Sequence, residues 1–383
     1  MVFNSLVSTK IHKANVLQIG KYYHPVKGGI EDHLHNLCNE IKNSCDLRVV
    51  VANDTPRTVK DNVDNISVTR LPKFGELSNI PICPTMPIRL KSFSADIVHL
   101  HLPNPMAHLS YLIAKPKGTL VIMWHSDIIG RDFFIKFYKP FLMTLLYRAE
   151  RIIATSPAYV RHSLFLSRFK DKTVVIPLGI NLSRFALTKS IQDKVAQIRE
   201  SFGNRIALYV GRLTYYKGLE YLIKAMEDVE ANLIIVGDGR LKRKLKVLAH
   251  NSRSKDKIWF MGEVSHEDIV SYFHACDVFV LPSVERSEAF GIVQLEAMAC
   301  RKPVVSTDLK TGVPWVNQNG KSGIVVPPRD PGSLAKAINT LLDNHALRQK
   351  YGDYGRERVE REFTKELVAE KVITLYREIL RTG

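Results

Sequence analysis

Ala207-Leu208-Tyr209-Val210-Gly211-Arg212-Leu213-Thr214-Tyr215-Tyr216-Lys217-Gly218 sets a short apolar run directly before a glycine-bounded turn that holds two cations. An apolar run that stops at glycine reads as one buried strand, and the helical pattern opening near Leu219 completes a strand, loop and helix. Toward the C-terminus the succession returns at Leu233–Val236, Ile258–Met261, Val278–Leu281 and Pro303–Ser306. Toward the N-terminus it recurs at Val16–Ile19, Leu47–Val51, Ile97–His101, Leu120–Met123 and Ile152–Ala154, with helical patterns such as Ile30–Ile41 and Phe133–Arg148 between the runs. Short strands alternating with helices build parallel sheets from βαβ units, so the predicted fold class is α/β.

The chain has 383 residues, beyond the size at which one core stops growing, and two domains are expected. The Pro- and Gly-containing segment Ile176-Pro-Leu-Gly-Ile-Asn181 interrupts the alternation, which places a linker at roughly residues 177–190. The expected units are two Rossmann-like domains, residues 1–183 and 184–364. Beyond Ser333 the pattern is helical to the end, and Leu367 to Leu380 is long enough to cross back, adding about residues 365–383 to the first domain.

Five cysteines (Cys38, Cys45, Cys83, Cys276, Cys300) form no C-x-x-C pair and no even framework, which argues against a disulfide scaffold or a thiolate zinc site. The N-terminus lacks a basic-then-apolar signal, and no apolar run of about 18 residues is present, so a cytoplasmic location is expected. The formal net charge is +17; residues 1–190 hold 25 Lys+Arg against 13 Asp+Glu, net +12, leaving net +5 for the remainder. Such an excess implies an anionic partner: nucleic acid, a phosphate-bearing substrate or an anionic membrane face.

Ligands of open α/β sheets bind beyond the carboxyl ends of the strands, so the loops there hold the candidate chemistry. The first loop ends in Lys27-Gly28-Gly29 before the helix at Ile30, where backbone N–H groups can approach an anion closely. An ordinary tight turn would look the same, and no G-x-G-x-x-G fingerprint is present. The second loop is Gly211–Gly218, in which the planar fork of Arg212 and the point charge of Lys217 suit a diphosphate. The third is Glu288-Ala289-Phe290-Gly291 followed by Ile292-Val293-Gln294-Leu295-Glu296. A helix beginning near Gly291 would offer free N–H groups to a phosphate and carry Glu296 about 7.5 Å along its axis, a spread that fits an extended ligand. The fourth is Trp124-His125-Ser126-Asp127, where His125 can bond a sugar hydroxyl and Asp127 can help an acceptor lose its proton. His99 and His101 share a strand face, but nothing is spaced to complete a zinc set, and no metal is expected.

With these residues in place the chain resembles the retaining glycosyltransferases of family four, of GT-B architecture. The resemblance runs from about Val16 to the C-terminus. It rests on Gly211-Arg212…Lys217-Gly218, Val236-Gly237-Asp238-Gly239, Phe260-Met261-Gly262-Glu263-Val264 and the pair Glu288…Glu296. It implies two Rossmann-like domains facing across a deep cleft, with a nucleoside-diphosphate sugar as substrate and neither metal nor cofactor. Arg212 and Lys217, beside Gly211, would hold the donor diphosphate, Gly28 and Gly29 would abut the phosphates, and Glu296 would bind the ribose. Glu288 and the backbone of Ala289, Phe290 and Gly291 would hold the transferred sugar, and Gly262 to Val264 would line the base pocket. His125 would lie near the reacting face, with Asp127 and His101 on the acceptor side. Retention by front-face attack is the mechanism this family implies.

The segment Arg131–Arg151 mixes Phe133, Phe134, Phe137, Phe141, Leu142, Leu145 and Leu146 with Arg131, Lys136, Lys139, Arg148 and Arg151 at helical spacing. It reads either as a surface-seeking helix on an anionic leaflet or as a half-buried helix with a solvated basic edge. The first reading predicts a peripheral enzyme acting on a lipid-linked or other glycan acceptor. The runs His125-Ser126-Asp127-Ile128-Ile129-Gly130 and Ser283-Val284-Glu285-Arg286-Ser287-Glu288 are similar to those of mannosyl- and rhamnosyltransferases of bacterial surface-polysaccharide assembly. GDP-mannose is therefore the first donor to expect, with UDP-glucose, UDP-galactose and UDP-N-acetylglucosamine open. Two rivals remain: a nucleotide-sugar epimerase of the same architecture, and a basic nucleic-acid-binding protein. The second lacks any helix-turn-helix, zinc-finger or aromatic RNA-binding signature, so no nucleic-acid partner is expected.

Overall fold

The computed structural model describes residues 13–26, 28–77, 80–127 and 132–382, with the side chains of 132–135 outside that description. Lys27, residues 128–131 and the side chains of Phe133 and Phe134, all named above, thus lie outside the described residues. By internal contact the chain divides into two compact units. One comprises residues 1–123, 138–152 and 369–383, the other residues 124–137 and 153–368.

Each apolar run read from the sequence coincides with a strand. The first sheet has eight, in the spatial order Thr173–Val175, Arg151–Ala154, Lys117–Trp124, Ser94–Leu102, Ala14–Ile19, Cys45–Ala52, Ile66–Leu71, Val59–Val63. Ala14–Ile19 pairs in parallel with both Cys45–Ala52 and Ser94–Leu102. Strands buried on both faces read as unbroken apolar runs, and Val16, Leu17 and Ile19 are fully buried. One hairpin was absent from the sequence reading. Val59–Val63 pairs antiparallel with Ile66–Leu71 around Asp64 and Asn65, whose φ of 51° and 66° form the left-handed turn that suits a two-residue loop. Val59–Val63 is almost wholly exposed, so no apolar pattern announced it.

The second sheet is all parallel, in the order Ile258–Gly262, Asn232–Val236, Ile206–Val210, Val278–Leu281, Val304–Thr307, Gly323–Val326. In chain sequence that is 3-2-1-4-5-6, the doubly wound order. The direction of winding reverses between Ile206–Val210 and Val278–Leu281, which is the switch point where open α/β sheets bind their ligands. The loops leaving these two strands had been singled out as chemical, and the topology now makes them neighbours.

The chain ends in three helices, Pro331–Asp343, His345–Glu362 and Lys365–Thr382. Asp330 and Asn344 cap the first two, their side chains accepting from Ser333 N and Leu347 N. The last helix carries Tyr376 into the first unit. Its hydroxyl accepts from Gln18 Nε2 at 3.1 Å and donates to His99 Nδ1 at 2.6 Å, while Gln18 Oε1 receives His101 Nε2 at 3.0 Å. Burial pushes His99 down to about 3, helped by nearby His33, and burial pushes His33 to about 4, so both stay neutral. No described helix is long and apolar enough to cross a membrane.

An unfolded histidine takes its proton near pH 6.5, whereas these two resist it until far lower. The unfolding free energy is therefore full above about pH 6.5 and falls as the pH drops toward the folded values, by up to about 1.4 kcal/mol per pH unit for each group. Urea unfolding across that window is expected to show the decline, with a shallower slope in His99→Gln. A flat profile would contradict a neutral, buried pair.

Candidate active site

Three loops of the second sheet are laced together through their backbones. Gly211 N donates to Val236 O at 3.0 Å, and Gly237 N donates to Gly262 O at 2.7 Å. A Cβ on Gly237 would lie 2.2 Å from Gly211 O, and the residue sits at φ +129°, so only glycine permits this approach. Gly262, at φ +73°, turns the chain off its strand toward half-buried Val264. Lys242, on the following helix, pairs with Asp238 beside this edge.

Loop 211–218 is held against loop 282–291 in the same way. Val284 N donates to Tyr216 O at 2.8 Å, and Gly218, at φ +66°, leaves room for Pro282 O where a Cβ would stand 2.2 Å away. The result is that Lys217 Nζ meets Glu288 Oε2 at 2.6 Å, both side chains about one-tenth exposed. Ser283 Oγ donates to the same oxygen at 2.9 Å, and Thr307 Oγ1 in turn donates to Ser283 O. Tyr209 lies buried beneath and its hydroxyl donates to Arg212 O at 3.1 Å. Arg212 itself is exposed, with Nη2 3.4 Å from the Tyr216 hydroxyl. The loop therefore presents one solvent-facing guanidinium and one buried ammonium that already has an anionic partner.

Past Glu288 the backbone is propped from below. Gly312 N donates to Ala289 O at 2.7 Å, and Phe290 is buried against Trp315 and Phe363, with ring centroids 6.2 Å from each. Arg358, fully buried, stacks on both of those rings and donates to the carbonyls of Trp315 and Val316. Gly291 adopts φ +70°, where a Cβ would press on Leu281 at 2.7 Å. The helix expected from Gly291 begins at Val293 instead. The left-handed glycine is incompatible with a helical start, and Gln294 N and Leu295 N close a tight turn onto Gly291 O and Ile292 O. Glu296 lies half-buried within this short helix.

His125 and Asp127 also lie in the second unit. His125 is buried. Asp127 Oδ1 accepts from Trp124 Nε1 at 3.1 Å and Ser163 Oγ at 2.7 Å, its Oδ2 from Arg286 Nη2 at 3.1 Å, and its own N–H donates to the Tyr159 hydroxyl at 3.0 Å. Burial raises its carboxyl above the usual range, against the pull of Ser163, Arg286 and Trp124. Gly28, Gly29 and His101 belong to the first unit. Gly28 precedes the helix Gly29–Ile41, a Cβ on Gly29 would meet open space, and His101 is buried in the chain with Gln18 described above. Tyr209, Ser283 and Arg286 join the site without having been singled out from the sequence; Tyr209 and Ser283 bond neighbours within their own loops, whereas Arg286 acts through Asp127, 159 residues away. Among the described residues no three His, Cys, Asp or Glu side chains converge as a metal would require.

The geometry makes one prediction independent of any ligand. Lys217→Ala leaves the Glu288 carboxylate buried without its cation, which is expected to cost about 3 kcal/mol of unfolding free energy. Urea denaturation that finds less than about 1 kcal/mol would mean that the pair is not buried in solution.

Residues 190–358 match the family model of the glycosyl transferases group 1, and residues 27–184 match that of glycosyltransferase family 4. Over 375 residues the chain is 32% identical to the O-antigen chain mannosyltransferase C of Escherichia coli, covering 96% of this chain and 99% of the relative. It is 33% identical over 270 residues to the D-rhamnosyltransferase WbpZ of Pseudomonas aeruginosa, covering 70% of each. Among solved structures, sucrose-phosphate synthase from Thermosynechococcus elongatus superposes with a TM-score of 0.81 at 24% identity, covering 96% of this chain and 99% of that one. Anabaena Alr3699/HepE in complex with UDP superposes with a TM-score of 0.77 at 20% identity, covering 95% of this chain and all of that one. These two likenesses speak for a GT-B fold.

Proposed function

Because this chain belongs to the family 4, group 1 glycosyltransferases, we propose that it transfers mannose from GDP-mannose to a lipid-linked or oligosaccharide acceptor in bacterial surface-polysaccharide assembly. The observation that carries the reading is the Lys217–Glu288 pair at 2.6 Å, with Arg212 on the same loop, at the point where the second sheet reverses its winding. A cation and a carboxylate so placed can serve the two ends of a nucleotide sugar, phosphate and hydroxyl. The choice of mannose leans on the O-antigen mannosyltransferase relative and, for the polysaccharide setting, on the rhamnosyltransferase.

In this reaction Arg212 and Lys217 neutralise the diphosphate as the bond from the sugar's anomeric carbon to its phosphate oxygen breaks. The acceptor hydroxyl attacks the same face, its proton passes to the departing phosphate oxygen, and configuration is retained. Glu288 and the backbone of Ala289, Phe290 and Gly291 hold the sugar, Glu296 the ribose, and Gly262 to Val264 the base. Gly28 and Gly29 approach the phosphates, His125 the reacting face, and Asp127 and His101 belong to the acceptor side. Charge stabilisation of the leaving group then supplies most of the rate, with neither metal nor cofactor. Lys217→Ala or Arg212→Ala is expected to lower turnover by about 100- to 1,000-fold. A thermal-shift panel of GDP-, UDP- and dTDP-sugars without metal tests the donor, since a ligand of the native state raises its melting temperature. GDP-mannose should give the largest shift; a larger shift with a UDP-sugar would replace it. Incubation with donor alone separates transfer from epimerisation.

The acceptor side includes a peripheral membrane contact in the cytoplasm. The helix Asp132–Arg148 buries Tyr138, Leu142, Leu145 and Leu146 while exposing Phe137, Phe141 and Tyr147 together with Lys136, Lys139 and Arg148. His108 braces it, with Nδ1 at the Tyr138 hydroxyl and Nε2 donating to Phe141 O at 3.0 Å. The helix is thus half-buried, and its outer face combines aromatic rings with cations. Near an anionic leaflet each such cation contributes about 1 kcal/mol. Flotation with anionic liposomes is expected to carry the protein upward, and sedimentation to the bottom would remove this part of the proposal.

A further inference from the structure

Arg286 has no part in the reading above, yet its surroundings are built. It stands two residues before Glu288 on a turn that is closed by Glu288 N donating to Glu285 O at 3.0 Å and flanked by Arg329 Nη2 at 3.5 Å from Glu285 Oε1. From there Nη2 reaches two acceptors at once: Asp127 Oδ2 at 3.1 Å and His162 O at 2.8 Å. The guanidinium is one-third exposed, but the Asp127 side chain it meets is only 7% exposed. Its Nε is buried and has no partner among the described residues. A long side chain gives up rotamer freedom to hold such a pose, so a surface pair of this kind contributes little unless one partner is buried and otherwise satisfied. Asp127 meets that condition, held by Trp124, Ser163 and Tyr159 as well.

We infer that Arg286 is a positioning residue that fastens the strand-end turn carrying His125 to the turn carrying Glu288. Asp127 lies two residues after His125, so the single ion pair joins the two turns almost at the groups assigned to the two sides of the transferred sugar. The inference rests on that assignment and adds a residue to it. Both ends of the pair lie in the second unit. Fixing reacting groups relative to each other acts on the chemical step, because misplacement by about 1 Å costs about 100-fold in rate. Arg286 does this through another side chain and touches no reacting atom. Both bonds leave from Nη2, whose two hydrogens serve a carboxylate and a carbonyl together. Burial raises the Asp127 carboxyl, so without Arg286 it would take up a proton more readily and loosen its hold further.

The test uses the full chain as Arg286→Met, Asp127→Asn and the double variant. Asp127→Asn turns the acceptor facing Nη2 into a donor while keeping the shape. In the free protein, hydrogen exchange over residues 124–127 and 159–163 is expected to rise about tenfold in Arg286→Met, with residues 211–218 within about twofold of wild type. In GDP release from GDP-mannose, kcat is expected to fall about tenfold with KM within about twofold. The double variant should lose no more than either single, as for two partners of one contact. Arg286→Lys should recover part of kcat. Unchanged exchange over both segments, or losses that multiply in the double variant, would overturn the inference. Lys217→Ala, assayed alongside, keeps the two ideas apart. Wild-type GDP release from Lys217→Ala defeats the donor reading, whereas its collapse beside a wild-type Arg286→Met defeats only the positioning role. Should Arg286→Met fail to fold, Arg286→Gln carries both readouts.

Discussion

A buried ammonium facing a buried carboxylate is the constraint on which the second unit is organised. Neither Lys217 nor Glu288 is tolerable alone at that depth, since an unpaired charge out of water is far costlier than the pair. The two must therefore meet across 71 residues of chain. They do so because the strands preceding them, Ile206–Val210 and Val278–Leu281, are neighbours at the reversal of the sheet, and because Gly218 lets Pro282 O come within contact of its backbone. Ser283, Thr307 and Tyr209 complete the surroundings. Each is buried and bonded to one of the two loops, so the positions of both charges follow from the sheet instead of from flexible side chains.

Much of this architecture is legible in the primary structure. Apolar runs that stop at glycine report buried parallel strands directly, and every such run became one. What escaped has physical reasons. Val59–Val63 is an exposed edge strand with no apolar face, although Asp64-Asn65 beside it was a turn signal that could have revealed the hairpin. Gly323–Val326 and Thr173–Val175 are too short and too near glycine or charged residues to stand out. At Gly291 the apolar periodicity of the following helix was visible, but the left-handed turn that delays its start was not.

The candidate site divides in the same way. Arg212, Lys217 and Glu288 sit on strand-end loops, and Glu296 on the short helix that follows one of them; all four were singled out by position and residue type. That Lys217 and Glu288 are partners was not visible, because a contact between distant loops leaves no periodic trace. Arg286 shows this most clearly: in the sequence it is one more cation in a stretch of mixed charge, and its meaning comes from Asp127, 159 residues earlier. Likewise, His99 and His101 showed in the sequence only as two histidines on one strand face, whereas burial and the hydroxyl of Tyr376 give His99 a neutral packing environment.

Carrying its own counter-ion changes how the second unit can greet a visitor. An ion that takes Lys217 away leaves the buried Glu288 carboxylate with the Ser283 hydroxyl but without its cation, unless it gives Glu288 a hydrogen in return. Inorganic phosphate or a bare nucleotide brings oxyanions but few hydroxyls to that corner. On the proposed reading, a molecule bearing acid at one end and alcohol at the other would settle both demands in the same visit, and selectivity would then be a matter of exchange, not of attraction.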